Sequence, residues 1–260
     1  MKKTKLLLIC LFSILCGYFL TWGAHTTWKK MHENRMLVMI SSWKRPLLLS
    51  GQIIRFNNQT YSNFDISVSV KGADEWWVRN TFMQEWQEMI DSGKLRVRFD
   101  SNKDQLANLL DTVRDVNLDD YDYFCKVDDD DWYAPTYLEE VNEWLNKEDN
   151  IMLSHTQKAS TLANGDEQVR MGFNNSVLSG PTMCFSKTVI EAALKIEKDP
   201  AALEPLYSKE KVLDHKGVRE DAMLHQVAEV LGKNQHRLTS PFNVLYGQQY
   251  PSVMRGGYLK

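Results

Sequence analysis

The stretch FCKVDDDDWYAP, residues 124–135, places four acidic side chains directly after an apolar segment that has the character of a strand. Adjacent carboxylates disfavour one another's ionisation unless water screens them or a cation neutralises them. The acidic run therefore indicates either an exposed turn or a cation site. The segments on both sides of it decide between the two and also set the fold.

Strand-like and helix-like patterns alternate through the first half of the chain. Between the strand-like segments, apolar residues recur at helical spacing, first over residues 78–89 and again over 105–116. This alternation predicts right-handed βαβ units, and so an α/β fold with a mainly parallel sheet and helices on both faces. Ligands of such sheets bind at the carboxyl ends of the strands, and the acidic run follows the fourth of them. The four strand-like segments, rich in β-branched or aromatic residues, are 36–41, 65–70, 94–99 and 121–127.

The composition excludes some classes of partner. The chain has 260 residues, 43% of them hydrophobic and 25% charged, so it is long enough for one large or two small globular domains. It has 31 Lys and Arg residues and 34 Asp and Glu residues, which gives a net charge of −3. Because no overall basic field exists, we expect no nucleic-acid partner and only local binding of phosphates.

Residues 6–24 form an apolar segment of 19 residues without a charge, close to the roughly 20 that a membrane-spanning helix needs. Thr21 and the bulky Trp22 take the minus-three positions before Gly23 and Ala24, a poor signal-peptidase pattern that favours an uncleaved anchor over a signal peptide. We therefore expect a single-pass membrane protein with an N-terminal anchor and stalk, residues 1–35. Lysine and arginine are nearly balanced around the segment, so the side of the membrane stays open.

The four cysteines have no metal-ligand spacing. Cys10 and Cys16 lie in the apolar segment, and Cys125 and Cys184 lie in apolar, strand-like contexts. We expect buried free thiols rather than a disulfide framework.

Four motifs in succession resemble one family of enzymes. They are VMISSWKRPLLLSGQIIRFNNQTYSNFDISVSV (38–70), KVDDDDWYAPTYLEEV (126–141), GPTMCFSK (180–187) and REDAMLHQVAEVLG (219–232). In content and order they are similar to the family 2 glycosyltransferases, which have the Rossmann-like GT-A fold. The resemblance implies a catalytic domain over residues 36–260, with a nucleotide-sugar-binding half (36–135) and an acceptor-binding half (136–260). It also implies an inverting enzyme that moves a sugar from a nucleotide diphosphate sugar to a carbohydrate or glycoconjugate hydroxyl.

The resemblance assigns a metal to the acidic run. A nucleotide-sugar donor leaves a diphosphate, whose charge a divalent ion held by carboxylates neutralises. By resemblance Asp130 binds Mn²⁺ or Mg²⁺ and Asp128 contacts the ribose, and the alternation of an extended segment turns Asp129 elsewhere. A solvated acidic turn is the alternative. The candidate metal ligands are Asp130, Asp128 and His236, and the candidate donor-binding residues are Ser41, Trp43, Arg45, Lys71, Asp128 and Asp129.

The donor-reading positions depart from the family. Relatives commonly end the second strand with an acidic pair that reads the nucleobase, whereas Val70 and Lys71 stand here. Lys71 can contact a phosphate instead and Asp74 can take over the base edge, so UDP is only a default. Trp43 either stacks on a base or packs in the core. Arg45 either touches the donor or fixes the loop after the first strand.

The last motif places Glu220 and Asp221 in the first turn of a helix. The resemblance implies that a carboxylate here, Asp221 before Glu220, is the general base that deprotonates the acceptor hydroxyl. Capping is the alternative for both, since acidic residues stabilise a helix N-terminus. The apolar stripe that follows them is made by Met223 or Leu224, Val227 and Leu231.

Three other functions compete with the transferase. A metal-dependent phosphohydrolase also needs clustered carboxylates, but it releases phosphate. A catalytically inactive relative binds sugar or nucleotide without turnover, and a structural membrane protein depends on neither metal nor nucleotide. The sequence does not name the sugar, the acceptor or the linkage.

Overall fold

The computed structural model describes residues 33–72, 77–100, 105–146, 152–155, 158–161, 167–170, 183–199, 224, 227–228, 231, 235–238 and 244–246. Its strands are β1 (Met36–Trp43), β2 (Phe64–Lys71), β3 (Leu95–Asp100), β4 (Tyr123–Asp128), β5 (Trp132–Tyr133), β6 (Met152–His155), β7 (Lys158–Thr161), β8 (Glu167–Arg170), β9 (Cys184–Ser186), β10 (Gln235–Leu238) and β11 (Val244–Tyr246). Its α-helices are α1 (Pro46–Asn57), α2 (Met83–Glu85), α3 (Gln87–Asp91), α4 (Gln105–Asp111), α5 (Tyr137–Leu145) and α6 (Lys187–Lys198). A π-helical turn occupies Val78–Phe82 and a 3-10 turn occupies Leu118–Asp120.

The main sheet has the strand order β10-β6-β9-β4-β1-β2-β3 among the described residues. β1 pairs in parallel with both β2 and β4, and β2 pairs in parallel with β3. β9 runs antiparallel to its two neighbours, β4 and β6, and β10 is parallel to β6. The α/β fold and the mainly parallel sheet that the alternation predicts are confirmed.

Apolar side chains of the main sheet fill two cores, one on each face. Met36, Val38 and Ile40 of β1 join apolar residues of α1 and α5 in the first core. Leu37 and Met39 join residues of α4 and α6 in the second core. This division follows from the two-residue repeat of a strand, and it confirms the predicted helices on both faces.

A second sheet, with strand order β5-β11-β7-β8, begins directly after the acidic run. β5 pairs antiparallel with β11, which is parallel to β7. Residues 129–131 therefore connect the carboxyl end of β4 in the main sheet to the first residue of β5 in the second sheet. Both ends of the acidic run are thus anchored by strands.

The end of β2 requires a glycine. Gly72 has a φ of +65°, and a Cβ there would lie 3.0–3.1 Å from side-chain atoms of Lys44 and Trp43. Any other residue would meet both the backbone strain and this contact. The loops that follow β1 and β2 therefore approach each other closely.

Cys125 and Cys184 contradict the expectation of free thiols. They lie directly opposite each other on the antiparallel strands β4 and β9, and their sulfurs form a disulfide bond. The two residues are 59 positions apart in the sequence. The expectation was wrong because the pairing of β4 with β9 is not visible in the pattern of either segment.

The compact unit that carries these elements begins at Asn34. The predicted anchor, residues 6–24, lies outside the described residues. Within the described part of the chain, no helix has both the length and the apolar character that crossing a membrane requires. The anchor and stalk (1–35) and the two halves of the catalytic domain (36–135 and 136–260) stay predictions.

Candidate functional site

The acidic run lies at the carboxyl edge of the main sheet. Asp128 is the last residue of β4 and stands opposite Ser41 of β1. Two positions further, Trp43 ends β1 and stands opposite Lys71, the last residue of β2. The structure therefore brings four of the predicted donor-binding residues to one edge, which is where parallel sheets bind ligands.

Arg45 ties the loop after β1 to the acidic run. It directly precedes Pro46, which begins α1, and its Nη1 lies 2.9 Å from Oδ1 of Asp129 and 2.7 Å from Oδ2 of Asp130. The hydroxyl of Ser42 also donates a hydrogen bond to Oδ2 of Asp129, at 2.5 Å. Of the two roles that the sequence left open for Arg45, the observed contacts are those of a residue that fixes the loop. Its contact with the donor stays a prediction.

Burial dominates the electrostatics of this run. The side chains of Asp129 and Asp130 are only 4% and 5% exposed. Burial raises the pKa of Asp129 to about 7; Arg45 and Ser42 oppose the shift, and the charges of Asp130 and Asp128 add to it. Burial, followed by the charge of Asp128, also raises the pKa of Asp130. Burial thus disfavours the ionised forms of both carboxylates, and a cation bound nearby would favour them.

Asp128 presents its side chain to solvent while its backbone is fixed. The side chain is 30% exposed, far more than those of Asp129 and Asp130. Its backbone N–H donates to the hydroxyl of Tyr133 at 3.1 Å, and its carbonyl accepts from Nε2 of Gln52 at 3.1 Å. Its Oδ1 accepts a hydrogen bond from Nζ of Lys126 at 2.7 Å. Residues of β5 and α1 thus fix the backbone of Asp128, and Lys126 of β4 contacts its carboxylate.

Four residues that contact the acidic run are not among the candidate site residues predicted from the sequence. They are Ser42, Gln52, Lys126 and Tyr133. All four side chains are buried. The sequence carries a signal for Lys126, because a charged residue interrupts an apolar strand two positions before Asp128. Alternate residues of a strand project from the same side, so the side chains of Lys126 and Asp128 are expected to lie next to each other.

Trp43 is 46% exposed, so its indole does not belong to either core. The core-packing alternative for this residue is therefore wrong. The indole instead forms an apolar surface at the sheet edge, across from Lys71. Trp132, at the start of β5, is a further large side chain with substantial exposure next to the acidic run.

The described residues do not form a closed metal site by themselves. Within them, no group of three or more His, Cys, Asp or Glu side chains is placed to hold an ion. Asp128 and Asp130 supply two carboxylates, and Mg²⁺ at phosphate sites commonly uses one or two, with phosphate and water oxygens completing its shell. A cation at this edge would also favour the ionised forms of the buried carboxylates.

His236 is not close to the acidic run along the sheet. It lies in β10, which β6 and β9 separate from β4. Three strand spacings of about 4.8 Å amount to roughly 14 Å. The placement of the strand thus lends no support to His236 as a metal ligand, and that role stays a prediction.

The predicted catalytic pair, Glu220 and Asp221, lies outside the described residues. The stripe that follows the pair is described: Leu224 and Val227 are helical and buried in the second core, and Leu231 packs against it. The apolar face predicted for this segment is therefore confirmed.

The mainly parallel sheet with the acidic run at its edge has the arrangement of the GT-A fold, and solved structures share it. The chain is similar to the mannosyltransferase PcManGT from Pyrobaculum calidifontis, solved with GDP-Man and Mn²⁺, at 12% identity and a TM-score of 0.55, covering 87% of this chain and 66% of that one. It is also similar to S. aureus TarS, at 12% identity and a TM-score of 0.54, covering 85% and 38% of the two chains. TarS 1–349 in complex with UDP is similar at 11% identity and a TM-score of 0.53, covering 85% of this chain and 63% of that one.

At such low identity these likenesses show the fold alone, and the chain spans 38 to 66% of the length of these structures. No family model matches the chain, and no curated protein matches its sequence. The predicted GT-A fold is confirmed, whereas membership of family 2 stays a prediction.

Proposed function

We propose that the protein is a glycosyltransferase that moves a sugar from a nucleotide diphosphate sugar to a carbohydrate or glycoconjugate hydroxyl. The observation that carries the proposal is the acidic run, which lies at the carboxyl edge of a GT-A sheet beside the exposed indole of Trp43. Parallel sheets bind nucleotides at this edge. PcManGT and TarS, which share the fold, are solved with GDP-Man and with UDP.

In this proposal the ends of β1 and β2 hold the nucleotide. Trp43 offers an aromatic face to the base. Lys71, directly across from it, offers a positive charge to the diphosphate. Asp128 accepts a hydrogen bond from the ribose, with Ser41 opposite it in the sheet register.

Asp130 is the residue that would hold Mn²⁺ or Mg²⁺, and Asp128 is the second candidate ligand. When bound, the ion neutralises the charge that develops on the departing diphosphate. Arg45 and Ser42 keep the carboxylate of Asp129 turned away from solvent, which orients the neighbouring Asp130. Contacts with Arg45 and Lys126 thus restrict the carboxylates of Asp130 and Asp128 respectively.

We propose that Asp221 removes the proton from the acceptor hydroxyl, with Glu220 as the second candidate. The acceptor oxygen then forms a bond to the anomeric carbon while the bond from that carbon to the diphosphate oxygen breaks. This single displacement inverts the anomeric centre and needs no covalent intermediate. Its support is the family resemblance of the motif and the position of both acids before a buried helical stripe.

A panel of nucleoside diphosphates and nucleotide sugars tests the donor and the metal together. Calorimetry with Mn²⁺, and again with a chelator, should show binding of at least one donor that depends on the metal. Asp130→Asn should abolish this binding. Asp119→Asn is the matched control, because this exposed carboxylate pairs with Lys187 near the opposite edge of the sheet. Donor affinity that is unchanged by the chelator would contradict the metal assignment.

Product analysis separates the proposed transferase from its rivals. With the donor and a panel of carbohydrate acceptors, the transferase yields a glycosylated acceptor and a nucleoside diphosphate. A phosphohydrolase would instead break a phosphate bond of the donor without glycosylating any acceptor. An inactive relative would bind the donor and yield neither product.

A further inference from the structure

Lys126 is a charged residue in the interior of the main sheet. It lies in β4, and its side chain is only 1% exposed. Lysine is almost never buried to this extent without a partner for its charge. Its Nζ lies 2.7 Å from Oδ1 of Asp128, two residues further along the same strand. A buried cation inside the sheet is therefore bonded to a partly exposed carboxylate at the edge of the sheet where the proposed site lies.

Asp128 is held from three directions. Tyr133 and Gln52 fix its backbone N–H and carbonyl, and Lys126 fixes one of its carboxylate oxygens. A carboxylate with 30% exposure at the end of a strand can otherwise rotate about its side-chain bonds. The hydrogen bond from Lys126 to Oδ1 restricts this rotation, and Asp128 lies at the edge where the nucleotide is proposed to bind.

We propose that Lys126 is a positioning residue for donor recognition: it orients the carboxylate of Asp128 so that this group reads the ribose hydroxyls of the donor. The inference rests on the proposed function and deepens it. It assigns the role to a buried cation that never touches the donor. The donor class that this arrangement selects is a ribonucleoside diphosphate, as opposed to its deoxyribose counterpart.

A purely structural role makes a different prediction. If Lys126 only compensates the charge of the acidic run, its replacement lowers the melting temperature but weakens the binding of ribonucleotides and deoxyribonucleotides equally. If it positions Asp128, its replacement also removes the preference for ribose. The ratio of the two dissociation constants therefore separates the two roles.

The experiment measures the dissociation constants of the best-binding nucleoside diphosphate and of its 2′-deoxy and 3′-deoxy forms, with Mn²⁺ present. We expect the wild type to prefer the ribonucleotide over at least one deoxy form by about 10- to 100-fold, the range for a hydrogen bond to a charged group. Asp128→Asn should reduce that ratio, and Lys126→Met should reduce it to a similar extent. The double variant should reduce the ratio little further than either single variant, because the two residues act as one unit.

Lys126→Leu also removes the hydrogen-bond donor, and it serves as the second variant if Lys126→Met does not fold. The matched control is Lys94→Met, since Lys94 is a half-buried lysine before β3 whose Nζ donates to backbone carbonyls at the other edge of the sheet. This control should keep the wild-type ratio even if its melting temperature falls.

The outcomes distinguish failure of the inference from failure of the proposed function. A wild type that binds no nucleoside diphosphate would overturn the proposed function itself. A wild type whose ribose preference needs Asp128 but survives in folded Lys126 variants would overturn the positioning role alone. Unfolding of both Lys126 variants would assign the lysine to the fold and would also count against the inference.

Discussion

Asp129 and Asp128 are neighbours with opposite surroundings. The first is buried against Ser42 and Arg45, and the second is partly exposed and held by Lys126. The motif identifies both acids by their order along the chain, and strand alternation predicts that they point to different sides. The sequence did not predict which one is buried, because that depends on where α1 and β5 pack around the turn.

The raised pKa of Asp129 should give the metal-free protein a specific pH dependence. Since its pKa is about 7 in the folded state and 3.8 ordinarily, the folded protein holds a proton between these values that the unfolded chain has lost. The free energy of unfolding should therefore fall by up to about 4 kcal/mol as pH rises from about 4 to about 7, and this contribution should stay constant above that range.

Urea unfolding with a chelator at several pH values between 4 and 8 measures this effect. Asp129→Asn removes the titrating group, so the difference in unfolding free energy between wild type and variant should change with pH over the same window. A difference that is independent of pH would show that Asp129 titrates at its ordinary value.

Arg45 should matter to stability through its charge as well as its shape. Arg45→Gln leaves the largely buried carboxylates of Asp129 and Asp130 without this cation, and we expect a loss of about 3 kcal/mol at pH 8. Arg45→Lys keeps the charge and should lose less stability than Arg45→Gln. A single nitrogen of the guanidinium makes both contacts, and the lysine ammonium also offers one nitrogen. Chemical unfolding of the two variants measures the difference, and equal losses would mean that the charge is not what stabilises the turn.

At the level of helices and strands, the local sequence pattern predicted the bounds of the first four strands closely. The four predicted strands at 36–41, 65–70, 94–99 and 121–127 lie within two residues of β1 to β4 at each end. The helix predicted over 78–89 is interrupted: a π-helical turn leads into α2, and α3 begins only after Trp86. The placement of β9 between β4 and β6 was not predicted, because β9 pairs with segments remote in sequence. The second sheet was not predicted either, because β11 joins it to the distant strands β5 and β7.

The disulfide between β4 and β9 should be detectable and stabilising. Peptide mapping without reduction should recover Cys125 and Cys184 in one linked fragment. Closing a loop of this length restricts the unfolded chain, so Cys184→Ser should lower the free energy of unfolding by up to about 4 kcal/mol. Ready alkylation of both thiols in the unfolded, unreduced protein would contradict the bond.

For the whole molecule, the fold could be predicted from the sequence more fully than the catalytic centre. The alternation of elements predicts the α/β fold with a mainly parallel sheet, and the resemblance of the four motifs implies the GT-A fold. The second core, which contains Leu224 and Val227, places the helical stripe beside α4 and α6, but the pair Glu220 and Asp221 is identified only by resemblance.

Replacing Asp221 with asparagine separates catalysis from helix capping. Asparagine is about as good an N-cap as aspartate but does not accept a proton at neutral pH. Asp221→Asn should therefore melt like the wild type and bind donor and metal normally, while transfer falls by about 10²–10⁴-fold. Glu220→Gln should have a smaller effect. Full activity in Asp221→Asn, or a loss that only follows a lower melting temperature, would identify Asp221 as a cap.

The bond between Cys125 and Cys184 also bears on where in a cell the protein matures. Cytosolic reductants keep thiols reduced, whereas exported domains retain their disulfides. We propose that the domain is translocated and folds on the oxidising side of the membrane, which protease protection of intact membranes would measure. A charged nucleotide sugar does not cross a hydrocarbon layer unaided. The donor would then have to be imported into the same compartment before this enzyme could use it.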